Sequence, residues 1–208
     1  MARARNITRA FRVKHKIINT QELRDQRFIA NPVNRCYFCK KELFNSLRCI
    51  AAARGLKNIF DASNVSDQKD FRPGARAKKE SGVRSPLQEA GMNKEEVRRL
   101  SKALKLKTWD KPALACLASR IPYGIRISRA LLQRIEQGEM ALNAMGFNQV
   151  RLRDYSGLCR IEVPKKDIPR VFTKGNRIVD KLKKLGYNYV TLDLEGFRSG
   201  SMNEVIKR

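Results

Sequence analysis

The most constraining stretch of this chain is its last third, where the spacing of apolar residues changes from a helical period to a strand period. Phe147-Asn-Gln-Val150-Arg151-Leu152-Arg153 alternates, and Leu158-Cys159-Arg160-Ile161-Glu162-Val163 alternates again. Successive side chains of a strand point to opposite faces, so Cys159, Ile161 and Val163 share one face and are assigned to a core. Arg151, Arg153, Arg160 and Glu162 fall on the polar faces. Guanidinium groups at alternate strand positions either bind a phosphate or carboxylate bidentately or form an exposed sheet face. A helix over about 176–185, stopped by Gly186, and a strand over 189–194 complete a β-β-α-β layer.

The first two thirds read mainly as helices. Residues 40–54 place Leu43, Phe44, Leu47 and Ile50 on one face, with Gly55 as a stop and Cys49 as packing at the edge of the stripe. Asn93 and Glu96 form a capping box for a helix from 94 to about 106. Ser128 caps a helix carrying Leu131, Leu132, Ile135, Met140 and Leu142, on which Glu136 and Glu139 read as solvated carboxylates. Val13, Ile17 and Ile18 suggest a short strand after a basic segment, 1–12, that is a helix tail or an arm. Residues 58–61 look like a buried strand running into a polar loop, 64–74, that contains Asp67. The carboxyl edge of a parallel sheet is where α/β proteins bind ligands. Together these signals predict an α/β chain: an incomplete parallel-sheet domain over 1–125, then a small α+β domain over 126–208.

Charge narrows the function. Lys and Arg number 45 against 20 Asp and Glu, a net charge of +25 at pH 7, dispersed along the whole chain. Such a field attracts polyanions, RNA first among them. No run of 18 apolar residues exists, so no membrane span is expected. Five cysteines, an odd number, do not suggest a secreted disulfide framework, and with no signal-like N-terminus a reducing, cytoplasmic setting is expected.

Two cysteine motifs carry the chemistry. Cys36-Tyr-Phe-Cys39 places two sulfurs close enough to share a metal or cluster, or to form a redox disulfide. A third thiolate would come from Cys49, Cys116 or Cys159. The second motif is the loop Trp109-Asp-Lys-Pro-Ala-Leu-Ala-Cys116-Leu-Ala-Ser-Arg120-Ile-Pro-Tyr-Gly124, which its prolines, glycine and tryptophan make an ordered loop. A nearby arginine favours the nucleophilic thiolate, so Arg120 would activate Cys116; the alternative is a small apolar cysteine packed between Leu114 and Leu117. His15, among lysines, is given no role.

With these residues laid out, the chain resembles the LarE family of sulfur transferases, PP-loop (adenine nucleotide alpha hydrolase-like) relatives that help make the nickel-pincer nucleotide of lactate racemase. The matching blocks are NPVNRCYFCKKELF (31–44), DFRPGARA (70–77), ESGVRSPLQEAGMNKEEVRRLS (80–101), TWDKPALACLASRIPYG (108–124), GFNQVRLRD (146–154), CRIEVP (159–164) and YVTLDLEGFRSGSMNE (189–204). The resemblance implies that ATP adenylates a carboxylate of a nicotinate-derived mononucleotide and that sulfur then displaces AMP. It makes Cys116 the sulfur source, or makes Cys36, Cys39 and Cys116 the ligands of a [4Fe–4S] cluster with one open iron. Arg120 and Glu139 match polar positions near the reactive cysteine, and Arg151 and Arg153 match the substrate phosphate and carboxylate region. Asp67 would face magnesium or the nucleotide. The family's S-G-G-x-D-S phosphate loop has no counterpart in MARARNITRAFR, which contains no glycine. Two expectations follow: a sulfur-transferring part-domain completed by an ATP-binding partner chain, or a lapsed LarE-derived protein that binds RNA, with the ribosome as a candidate location. A parallel sheet without its first strand would expose an edge, so an oligomer is expected.

Overall fold

The computed structural model describes residues 2–69, 71–111 and 115–206. Pro112, Ala113 and Leu114 of the cysteine loop, and Asp70 of the block 70–77, lie outside the described residues. The helices are α1 (Ala2–Ala10), α2 (Gln26–Ile29), α3 (Arg35–Ala53), α4 (Gly74–Glu80), α5 (Pro86–Glu89), α6 (Lys94–Ala103), α7 (Arg129–Ala144), α8 (Ile168–Thr173) and α9 (Gly175–Lys183). The strands are β1 (Arg151–Tyr155), β2 (Leu158–Glu162) and β3 (Tyr189–Leu192). The chain is therefore a mixed α/β protein with a small three-stranded sheet. Among the described residues no helix is long and apolar enough to cross a membrane.

The alternating residues of the last third form this sheet, in the order β1-β2-β3. β1 and β2 are antiparallel, with Arg153 opposite Arg160 and Leu152 opposite Ile161. Their two-residue turn, Ser156-Gly157, has positive φ at both positions (57° and 110°), the backbone hand that suits a tight hairpin. β3 returns parallel to β2 after α8 and α9. One face of the sheet buries Leu152, Cys159, Ile161 and Val163 against Phe147, Leu142, Ile178 and Leu182. Cys159 is core, as its register implies; burial, then the charge of Asp154, pushes its thiol up to about 12.

Ser128 caps α7 by accepting from the Leu131 N–H at 3.1 Å. Ile135, Gly138 and Leu142 form the buried stripe of that helix. Gly138 is where α7 lies closest to the sheet. A Cβ there would collide with a methyl group of Leu152 and come within 3.3 Å of Leu182 Cδ2.

The first part departs from expectation in its strands. Residues 13–18 are extended but belong to no strand, and the strand expected at 58–61 is reduced to a single parallel bridge between Phe60 and Arg84. A strand gains its stability from neighbours on both sides, and Phe60 is still 55% exposed. Helices fare better. α6 has the full Asn93–Glu96 capping box but stops at Ala103, before Lys105, whose φ is +55°. α3 starts five residues earlier than its apolar stripe suggests, at Arg35, which brings both cysteines of the C-x-x-C motif into the helix. Cys49, expected to pack, is exposed. Phe44 of α3, Ala77 of α4 and Val83 make one small core, while Phe28, Ala118, Ile121, Ile127 and Ile135 make another beneath the cysteine loop.

Alanine has the better helix propensity, by about 1 kcal/mol, yet Gly138→Ala should lower stability by about 1–3 kcal/mol because Leu152 has no space to retreat. Chemical denaturation reads this; a stability gain would show that the α7–β1 contact is soft.

Candidate functional site

Cys116 is exposed and opens a short 3-10 turn, Leu117–Arg120. The turn is held from below by a buried arginine. Arg120 is 5% exposed and donates from Nε and Nη2 to both oxygens of Glu139 at 2.8 and 3.0 Å. Its Nη1 donates to the carbonyls of Ala115 (3.1 Å) and Cys116 (3.2 Å) and to Ser119 Oγ (3.1 Å). Glu139 also accepts from the Leu152 N–H at 3.0 Å, tying α7 and β1 to the same turn. Glu139 is thus an interior strut and not the solvated carboxylate that its helical position suggests; Glu136 is exposed.

A second buried pair grips the turn from the sheet. Arg153, 1% exposed, donates to both oxygens of Glu162 at 2.8 and 3.0 Å, to Ser201 Oγ at 2.7 Å, and to the carbonyl of Ser119. The exposed-face reading therefore fails for Arg153 and Glu162, whose register puts them inside. Arg151 is half-buried with its guanidinium 4.4 Å from the Phe197 ring centre. Burial, then the charges of Arg153 and Arg120, lowers its pKa. Four guanidiniums, Arg120, Arg151, Arg153 and Arg160, and three carboxylates, Glu139, Glu162 and Asp193, leave one positive charge unbalanced here, which suits an anion.

Cys36 and Cys39 sit in the first turns of α3, Cys36 exposed and Cys39 half-buried. Burial, then the charge of Glu22, pushes the Cys39 thiol up to about 11, with Cys116 and Cys36 adding to it. Burial also raises Cys36, opposed by Arg35 and again reinforced by Cys116. Each thiol of the pair thus feels Cys116. Among the described residues no three Cys, His, Asp or Glu side chains lie close enough to share one metal ion. A tetrahedral zinc with bonds of about 2.3 Å would need its thiolates about 4 Å apart. Three cysteines without histidine are, by donor type, the ligands an iron–sulfur cluster takes.

The two cysteine segments meet through Asn31, which is fully buried at a φ of +54°. Arg35 stacks 4.6 Å from the Tyr123 ring centre, and the Tyr123 hydroxyl donates to Asn203 Oδ1 at 2.9 Å. Burial raises the Tyr123 phenol; Arg35 opposes this, Cys36 adds to it and Arg153 opposes it. Asp67 is elsewhere in the site's margin: it accepts from the Asn64 N–H at 3.0 Å and pairs with Arg72 at 2.7 Å. The charge of Arg72 reaches Cys36, so this pair borders the C-x-x-C helix. Asn31, Tyr123 and Glu162 escape the sequence reading. The Asn-Pro dipeptide marks a turn, but nothing local announces contacts made some 90 residues away.

Removing one partner of a buried ion pair leaves the other charge uncompensated, at a cost of about 3–5 kcal/mol. Glu139→Ala should lower stability on that order and make the turn at Cys116 more accessible to protease. Urea denaturation and limited proteolysis measure both, and an unchanged midpoint would deny Glu139 its role as a strut.

No protein-family profile matches the chain. Individual proteins do. An uncharacterized Synechocystis protein is 43% identical over 198 residues, covering 94% of this chain and 74% of that protein. The pyridinium-3,5-bisthiocarboxylic acid mononucleotide synthase of Lactiplantibacillus plantarum is 37% identical over 186 residues, 89% of this chain and 67% of the synthase. An uncharacterized Methanocaldococcus jannaschii protein is 30% identical over 182 residues, 88% of this chain and 71% of its own. The matched span takes in the cysteine motifs and the arginine-bearing sheet together, and on that identity the chain belongs to the LarE family.

Proposed function

We propose that this chain delivers sulfur to an activated carboxylate of a nicotinate-derived mononucleotide, with Cys116 as the residue from which sulfur departs. The supporting observation is the setting of Cys116: an exposed thiol on a backbone held by two buried arginine–glutamate pairs, within electrostatic reach of Cys36 and Cys39. The Lactiplantibacillus relative is named for a bisthiocarboxylic acid mononucleotide, which is the product class of such chemistry.

In this reading the carboxylate reaches Cys116 as an acyl adenylate; ATP and magnesium belong to that earlier step, on the side of Asp67. The Cys116 thiolate attacks the acyl carbon, the carbon–oxygen bond to AMP breaks, and AMP leaves with the electron pair. Loss of the Cys116 α-proton with cleavage of its Cβ–Sγ bond then releases a thiocarboxylate and leaves dehydroalanine. A [4Fe–4S] cluster held by Cys36, Cys39 and Cys116 would supply an open iron for exogenous sulfide and spare the cysteine. Arg151 binds the substrate's phosphate or carboxylate. Arg153, already committed to Glu162 and Ser119, fixes the turn against which that anion lies. Arg120 and Glu139 keep the Sγ position constant, since positioning of reacting atoms is itself a large part of catalysis.

Cys116→Ala should reduce sulfur transfer from a supplied acyl adenylate to background, while Cys36→Ala and Cys39→Ala should lower the iron content of anaerobically purified protein. Transfer surviving Cys116→Ala would remove Cys116 from the mechanism. A second reading, RNA binding, is favoured by the net charge of +25. With about six to ten phosphate contacts, affinity should fall roughly 10³–10⁵-fold between about 50 and 200 mM salt. No RNA binding near physiological salt would eliminate it.

A further inference from the structure

The segment before Cys36 and the segment after Cys116 are joined by hydrogen bonds that converge on the Asn31 side chain. Asn31 Nδ2 donates to three carbonyl oxygens of the second segment: Pro122 at 2.7 Å, Ile125 at 2.9 Å and, more weakly, Ile121 at 3.4 Å. Asn31 Oδ1 accepts from Arg35 Nη1 at 2.8 Å, which fixes the orientation of the amide, because a guanidinium donates only. Its backbone carbonyl accepts from the Gly124 N–H at 3.0 Å, and the Ile127 N–H donates to the carbonyl of Ile29 at 2.9 Å. Asn31 lies five residues before Cys36, and Ile121 lies five residues after Cys116.

Few residues can stand here. The φ of +54° is in the left-handed region, open mainly to glycine, asparagine and aspartate. Glycine keeps the backbone and loses all four side-chain bonds. Aspartate keeps the shape and the bond from Arg35, but it turns an amide donor into an oxygen facing three carbonyl oxygens. Only asparagine gives the backbone, the two donor hydrogens and the acceptor at once. The fully buried site also leaves no water to substitute for a missing donor.

We infer that Asn31 is a positioning residue that sets the separation of Cys36 and Cys39 from Cys116, docking the C-x-x-C helix onto the reactive turn. It acts through the two backbones and not by touching substrate. The inference rests on the reading that the three thiols work as one site, and its test reads thiol geometry independently of sulfur transfer.

The experiment uses the full chain with Cys49→Ser, so that the thiols left outside the core are the exposed Cys36 and Cys116 and the half-buried Cys39. A short bifunctional thiol reagent is applied under reducing, metal-free conditions, and bridged peptides are quantified by mass spectrometry. The parent protein should form both the Cys36–Cys39 bridge, internal to α3, and bridges from this pair to Cys116. Asn31→Asp should slow the bridges to Cys116 at least tenfold and leave the Cys36–Cys39 bridge unchanged, at unaltered helix content. Asn93→Ala, which removes the cap of α6, should change neither bridge. Bridging to Cys116 at the parental rate in folded Asn31→Asp overturns the inference. Should Asn31→Asp fail to fold, Asn31→Gly preserves the positive φ and is read against the same two bridges, with the same result overturning it. A Cys116 that is dispensable for sulfur transfer, with bridging still dependent on Asn31, would defeat the proposed function and leave the positioning role standing.

Discussion

The pair formed by Arg153 and Glu162, both essentially without solvent exposure, is the contact on which the site depends. Two opposite charges taken out of water gain little net stability from each other, because desolvation cancels most of the attraction. What they supply is direction. A bidentate guanidinium–carboxylate pair has one good geometry, and the remaining Nη atoms of Arg153 then have fixed aims: Ser119 on the cysteine turn and Ser201 near the end of the chain. Arg120 and Glu139 repeat the device from the opposite side, and its third partner, the Leu152 N–H, lies next to Arg153 in β1. The turn that Cys116 opens is thereby registered to the sheet by two rigid forks, while Cys116 itself stays exposed.

Much of this could be read from the sequence, and the limits have physical causes. Period-two alternation located β1 and β2, Ser128 located the start of α7, and the Asn93–Glu96 pair located the start of α6, because each is a local rule. The strands expected near residues 13–18 and 58–61 failed, since a strand depends on partners that local sequence does not contain. Glu139 and Glu162 were misplaced for a related reason. A charged residue on a polar face is expected outside, and only a partner from a distant segment, Arg120 for one and Arg153 for the other, makes the interior tolerable. Spacing marks Cys36 and Cys39, and only the family resemblance adds Cys116 to them; the contacts of Asn31 that join their segments run from position 31 to positions 121–125.

The distribution of charge deserves to be seen in two parts. Most of the excess positive charge is on exposed side chains, where water screens it. The interior part is small and organised: Arg120, Arg151, Arg153 and Arg160 surround the carboxylates Glu139 and Glu162, and burial, then the neighbouring Arg153 and Arg120, lowers the pKa of Arg151. A bound anion would relieve that crowding. The overall field would draw any polyanion to the molecule, whereas under the proposed function this interior arrangement would select a small one of defined shape.

Asn31 is followed directly by Pro32. Spontaneous deamidation of asparagine ordinarily proceeds by attack of the next residue's backbone nitrogen on the side-chain carbonyl, closing a cyclic imide. Proline has no backbone N–H to lose and cannot close that ring. The one amide that joins the two cysteine segments is thus shielded from the commonest route by which asparagines turn into aspartates with age. The clamp is durable chemically as well as sterically, and its lifetime is tied to the proline beside it.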